Sequence, residues 1–276
     1  GKQPSLQDAQ AVVVRLLDFS KDASGQPAAS DDGCFYIVME LGIYTMEQLV
    51  VDSREVERQP RVAEVRETIR LVISALARLH GAGYALAAHS PRQWMRFPVG
   101  WKLLDADVLR RDQHALSIDA TAVDPLYCAP ELAAALTAGR RKVELSQPVD
   151  VWAVALMCLE LVLPAPLLRA QMEAAAPSGA PPSAGGARHP FLATLAAMRS
   201  PLPFPPGVAA FGQSGLLLDL MRGMLEVDPH RRLTASDALA HAFFTAALPS
   251  SASASASRSA SRPASRPASR PGSPMC

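Results

Sequence analysis

The chain predicts an α+β fold, a short β-hairpin leading into a much larger helical region, on three observations. Two β-rich runs, Ala11 to Phe19 and Cys34 to Leu41, flank the turn-rich stretch Ser-Lys-Asp-Ala-Ser-Gly-Gln-Pro, so they pair most simply as a hairpin. From Pro60 onward, Val65, Ile69, Val72, Leu76 and Leu79 recur with the 3.6-residue helical period. Val149 to Leu163 is apolar on every side, which suits a helix at the centre of a domain rather than on its surface.

The remaining elements follow in order. Residues 1–10 read as a frayed start, and the hairpin then occupies residues 11–41. Thr45 begins a short helix, and Gly81 stops the long periodic one. Met172 to Gly186 is an Ala/Pro/Gly-rich insertion with too little apolar bulk to fold, expected as a loop or disordered segment. Helices fit Pro190–Arg199, Gly215–Glu226 and Ala235–Phe244. Residues 249–276 form a Ser/Ala/Arg/Pro tail with no large apolar residue before Met275, and disorder is expected there because nothing offsets the entropy of folding.

Composition excludes several classes. A chain of 276 residues with 49% hydrophobic content can bury one large core or two small ones. Its net charge of +1 gives no support for a nucleic-acid partner. Cys34, Cys128, Cys158 and Cys276 show neither metal-ligand spacing nor a clustered framework, which reads as reduced thiols in a cytoplasmic or nuclear protein. No secretion signal is evident. The longest apolar stretch, Val151 to Leu163, is interrupted by Glu160 and falls short of the roughly 20 residues needed to span a bilayer, so no membrane association is expected.

Six short motifs stand in a telling order: Phe35-Tyr36-Ile37-Val38-Met39-Glu40-Leu41, the stretch Tyr84 to Gln93, Trp101-Lys102-Leu103-Leu104-Asp105-Ala106-Asp107, Tyr127-Cys128-Ala129-Pro130-Glu131, Asp150-Val151-Trp152, and Asp228 to Ala235. Together they resemble the eukaryotic protein kinase family, of the serine/threonine-kinase-like type. The resemblance implies a kinase-like fold with a mainly helical large lobe over residues 42–248 and a remnant β-hairpin of the small lobe over residues 11–41. It places Met39 at the gatekeeper position and Met39, Glu40 and Leu41 in the hinge that would contact a nucleotide.

The same resemblance implies a damaged reaction centre. Ala88 stands where the family has its catalytic aspartate and offers no basic atom; losing a general base costs typically about 10²- to 10⁴-fold in rate. His89 is adjacent and is at best a weak substitute, so no residue is assigned as catalytic. Gln93 occupies the place of the metal-binding asparagine, and its extra methylene moves the carbonyl roughly 1.5 Å, which magnesium coordination at about 2.0–2.1 Å tolerates poorly. Asp105 matches the metal-binding aspartate, so Asp105 and Gln93 form the candidate metal site. No Gly-x-Gly-x-x-Gly and no Val-Ala-x-Lys occurs anywhere in the chain, so it lacks the phosphate loop and the lysine of the family's ion pair. The structural residues match better: Glu131 is expected to pair with Arg232, and Asp150 to accept backbone hydrogen bonds from the loop around Leu86–Ala87.

Three functions remain open at this point. The first is a pseudokinase that binds protein partners without phosphoryl transfer. The second is an active serine/threonine kinase whose amino-terminal part is missing from this chain; ATP and magnesium enter only if nucleotide binding is retained. The third is an adaptor dominated by the tail, where arginine stands three residues before Ser261, Ser265, Ser269 and Ser273, a spacing that basophilic kinases favour. The exposed hairpin is also expected to invite self-association or a protein partner.

Overall fold

The computed structural model describes residues 10–55, 61–86, 90–105, 108–112, 115–117, 123–140, 142–176, 189–213 and 215–246. The expected tail over 249–276, most of the insertion, Ala88 and His89 lie outside the described residues.

Strands β1 (Leu16–Phe19) and β2 (Ile37–Met39) form an antiparallel pair, with Leu16 opposite Met39, Phe19 opposite Ile37 and a bulge between Leu16 and Asp18. The expected first strand is shorter than the apolar run that suggested it. Val12 and Val14 instead join the helical body: Leu103 N–H donates to the Val12 carbonyl and Val14 N–H to the Leu103 carbonyl, each at 2.8 Å. Both valines are buried there, whereas Leu16, Leu17, Ile37, Val38 and Met39 are exposed.

After β3 (Tyr44–Thr45) comes helix α1 (Met46–Glu55), started by a reciprocal cap in which Gln48 N–H donates to Thr45 Oγ1 and Thr45 N–H to Gln48 Oε1. Helix α2 (Val62–Gly81) buries Val65, Ile69, Val72, Leu76 and Leu79, the periodic stripe. Gly81 is still helical. The stop lies two residues later, at Gly83, whose φ of +79° glycine adopts without the Cβ penalty.

Strand β4 (Tyr84–Leu86) pairs with β7 (Leu109–Arg111). Between them the antiparallel hairpin β5 (Trp94–Phe97) and β6 (Gly100–Leu103) adds β3 at its edge. Strand β8 (Ala115–Ser117) pairs with β9 (Lys142–Glu144), and α3 (Pro130–Thr137) lies between them in sequence. Helix α4 (Gln147–Leu159) is the centre of the core: every residue from Val149 to Leu159 is buried, and it packs on α2, β4 and α8 (Leu216–Met224).

Two expectations are corrected. Met172 to Ala175 is not loop but the end of helix α5 (Arg169–Ala175), because strong helix formers surround Met172, a single buried anchor in a segment whose overall composition is biased. The helix expected over Ala235–Phe244 is two helices, α9 (Ala235–Leu239) and α10 (Ala242–Thr245), since His241 Nδ1 accepts the Phe243 N–H and caps the second one afresh. The other two stretches are α6 (Phe191–Ala196) and α8, with the short α7 (Pro206–Ala210) before α8. Among the described residues no helix is long and apolar enough to cross a membrane.

Candidate functional site

Asp150, in the first turn of α4 and fully buried, organises the loop beneath the expected reaction centre. Both carboxylate oxygens accept the Leu86 N–H, at 3.0 and 3.2 Å, and one lies 2.8 Å from His80 Nε2. Gln147 Nε2, in the same first turn, donates to the His80 carbonyl at 2.8 Å. The end of β4 is therefore tied to α4 by the aspartate, and α2 is tied to the same point through His80.

The segment that follows contains the candidate metal ligand Gln93. Its side-chain Oε1 accepts the Ser90 N–H at 2.9 Å, closing a capping box on the short 3₁₀ turn Pro91–Gln93. One of the two lone pairs of the carbonyl that a magnesium ion would need is thus engaged by the protein's own backbone. Leu104 N–H donates to the Gln93 backbone carbonyl at 2.8 Å, which brings exposed Asp105 close to Gln93 in the fold. Among the described residues no group of three or more His, Cys, Asp and Glu side chains could hold a metal. One exposed carboxylate beside an amide turned to its own cap is a poor donor set for a hard cation that takes oxygen ligands in octahedral geometry.

Of the three hinge residues, Glu40 has its side chain engaged within the chain. Glu40 Oε1 accepts from Lys102 Nζ and, at 2.8 Å, from the Arg15 N–H. Burial alone would raise the Glu40 carboxyl, but Lys102 and the Arg15 amide outweigh it and hold it below the usual carboxylate range. Met39 is exposed on β2, and Leu41 is 93% exposed. Among the described residues of the expected site, the Glu40 and Gln93 side chains are engaged within the chain.

The structural pair closes on itself. Arg232 donates to both Glu131 oxygens, at 2.6 and 3.0 Å, and also to the carbonyls of Pro148 at 2.7 Å and Glu226 at 2.8 Å. Its guanidinium lies 5.1 Å from the Trp152 ring centroid. The arginine therefore ties α3, the start of α4 and the loop before α9 into one node.

A further cluster is less evident from sequence. Around a cavity of about 390 Å³ between α1, α5 and the turn Pro125–Tyr127, buried Glu160 accepts from the Tyr127 hydroxyl and, at 3.1 Å, from Arg54 Nη2. Arg92 donates to Glu47 at 2.7 Å, and Asp124 accepts the Leu126 N–H at 3.0 Å. Burial pushes the Glu160 carboxyl above its usual range despite Tyr127 and Arg54, and pushes Asp124 up as well. The Tyr127 hydroxyl is driven far up, first by burial and then by the Glu160 charge. Glu160 had one signal in the sequence, a lone charge inside an apolar run; Arg54 had none.

The family is settled by comparison. No curated protein is matched by the chain. The family model described as protein kinase domain matches residues 6–244, most of the chain, in agreement with an α+β fold whose helical body is built around α4. The chain therefore belongs to the protein kinase family.

Proposed function

We propose that this protein kinase domain is a pseudokinase, a protein-binding or regulatory module that transfers no phosphate. The observation that carries the reading is the Gln93 side chain, folded back onto the Ser90 N–H beside Asp105. Phosphoryl transfer is catalysed mainly by positioning and by neutralising charge on the phosphates, so a centre in which one of two metal ligands is replaced and turned to its own backbone loses part of what catalyses it. Ala88, at the position of the family's aspartate, removes the base as well.

The binding side of the reading rests on the β1–β2 hairpin. Two strands alone are marginal in water, yet Leu16, Leu17, Phe35, Ile37 and Met39 are exposed together on it, and Ile37 is 68% exposed. An apolar patch of this kind marks an interaction site. The hairpin is the principal protein-binding surface, and it also serves self-association.

A thermal-shift titration with magnesium ATP tests the first half. No rise in melting temperature and no phosphate incorporated into a generic protein substrate is the expected result. A saturable rise together with incorporation that disappears in Asp105→Asn would establish the active-kinase reading instead.

A further inference from the structure

Arginine stands three residues before a serine or threonine at five places in the chain: before Thr234 in the helical body, and before Ser261, Ser265, Ser269 and Ser273 in the tail. The structure sets the first apart from the other four. Leu233 N–H donates to the Gly223 carbonyl at 2.9 Å, which pins the stretch Arg231 to Thr234 to the body. Thr234 Oγ1 accepts the Asp237 N–H at 3.1 Å and donates to Asp237 Oδ2 at 2.7 Å, capping α9. Arg232, beside it, is bound to Glu131. An enzyme acting on the Thr234 hydroxyl would first have to break that cap.

The tail lies outside the described residues and is read from its sequence. Between Pro249 and Pro274 it has no aspartate or glutamate to neutralise its arginines and no apolar side chain larger than proline. Arg262-Pro263-Ala264-Ser265, Arg266-Pro267-Ala268-Ser269 and Arg270-Pro271-Gly272-Ser273 repeat with one period, so each arginine keeps the same offset from a serine. Proline disfavours helical backbone at the residue before it, here an arginine each time. Three extended residues span roughly 10 Å, so hydroxyl and guanidinium can be presented together to a groove with a carboxylate seat at that distance from its reaction centre. The two-pronged guanidinium–carboxylate pair makes such a seat selective for arginine over lysine.

We propose that Ser261, Ser265, Ser269 and Ser273 are phosphorylation sites for an arginine-directed serine kinase, an enzyme separate from this chain. The serine Oγ attacks the γ-phosphorus of ATP held by that enzyme, and the bond to the β-phosphate oxygen breaks. The hydroxyl proton passes to the enzyme's base, leaving phosphoserine and ADP. Each phosphate brings about −1.5 to −2 charges, so full occupancy turns a cationic tail anionic and takes the chain from +1 to about −5 to −7. A nucleic-acid backbone would use the arginines but not their fixed offset from serine. The sites are separate from the hairpin surface and do not depend on whether the chain itself transfers phosphate.

The test incubates the full folded chain with magnesium ATP and a calmodulin-activated serine kinase that selects arginine at this offset, against a blank without that kinase. Phosphate is mapped by tandem mass spectrometry. It is expected on Ser261, Ser265, Ser269 and Ser273, with the isoelectric point moving from about 7.9 to the acid side. None is expected on Thr234, or on Ser251, Ser253, Ser255 and Ser257, which no arginine precedes in the tail. Arg262→Gln is expected to slow Ser265 about tenfold, Arg262→Lys less, and neither to change Ser269. Equal rates at Ser265 in wild type and Arg262→Gln, phosphate on Ser253 as fast as on Ser265, or an unmodified tail would each overturn the proposal. Phosphate on Thr234 of the folded chain at the rate of Ser265 would overturn the division between body and tail on which it rests.

Discussion

Arg232 and Glu131 meet in a two-pronged ion pair at 2.6 and 3.0 Å, with the arginine side chain fully buried and the glutamate partly open to solvent. Removing one partner of such a pair leaves a buried charge uncompensated, at a cost of about 3–5 kcal/mol. Arg232→Ala is therefore expected to lower the denaturant midpoint strongly, whereas Arg231→Ala, exposed one residue earlier, should stay within about 0.5 kcal/mol. Equal midpoints in urea would show that the node does not bear on folding.

Phosphoryl transfer is expected to be absent and not restored by a single repair. With magnesium or manganese, the purified chain should incorporate no phosphate above a blank, and Ala88→Asp should leave that unchanged, because Gln93 remains turned to Ser90. Incorporation by the Ala88→Asp variant alone would show that one missing base accounts for the whole defect.

The exposed hairpin predicts association. At tens of micromolar, light scattering after size exclusion is expected to show species above the monomer mass, and Ile37→Thr combined with Leu41→Lys should return the chain to monomer without lowering its melting temperature, since both residues are exposed. A monodisperse wild-type monomer with amides of residues 16–19 strongly protected from hydrogen exchange would contradict this.

Glu160 carries a signed pH dependence. Burial raises its folded pKa above the ordinary 4.5, so it binds its proton more tightly in the folded state; its contribution is fully present below that value and is lost as pH rises through the folded one. Asp124 has the same sign, while Glu40 and Glu67 are lowered and act only in more acidic solution. As pH rises above the ordinary 4.5, the wild type should lose melting temperature relative to Glu160→Gln. Parallel curves for the two proteins over that window would rule out the titration.

What could be read ahead was whatever the chain encodes locally or in a motif. The stripe Val65, Ile69, Val72, Leu76, Leu79 faces the core because helical spacing alone decides it. The motif residues Asp150, Glu131 and Arg232 are brought to the partners described above because a fold of known family fixes long-range neighbours. Contacts that no motif specifies were not legible. Arg54 meets Glu160 across 106 residues and Lys102 meets Glu40 across 62, and neither separation has a pattern that periodicity detects. For Gln93 the residue type indicated a poor metal ligand, but only the geometry shows that its oxygen accepts the Ser90 amide. Met172 was hidden because one buried anchor hardly alters the composition of an alanine-rich segment.

The two backbone hydrogen bonds that join Val12 and Val14 to Leu103 define where the body can be cut. Although these residues run directly into the hairpin, they belong mechanically to the β5–β6 sheet, joined to it by a parallel bridge between Val13 and Leu103. A fragment designed to discard the hairpin by starting at β3 would remove Val12 and Val14, strip both partners from the Leu103 backbone and leave its N–H and carbonyl without a mate. The smallest self-contained fragment must therefore keep residues 10–14, and a shortened hairpin is better made by bridging Arg15 to Glu40 than by trimming from the front.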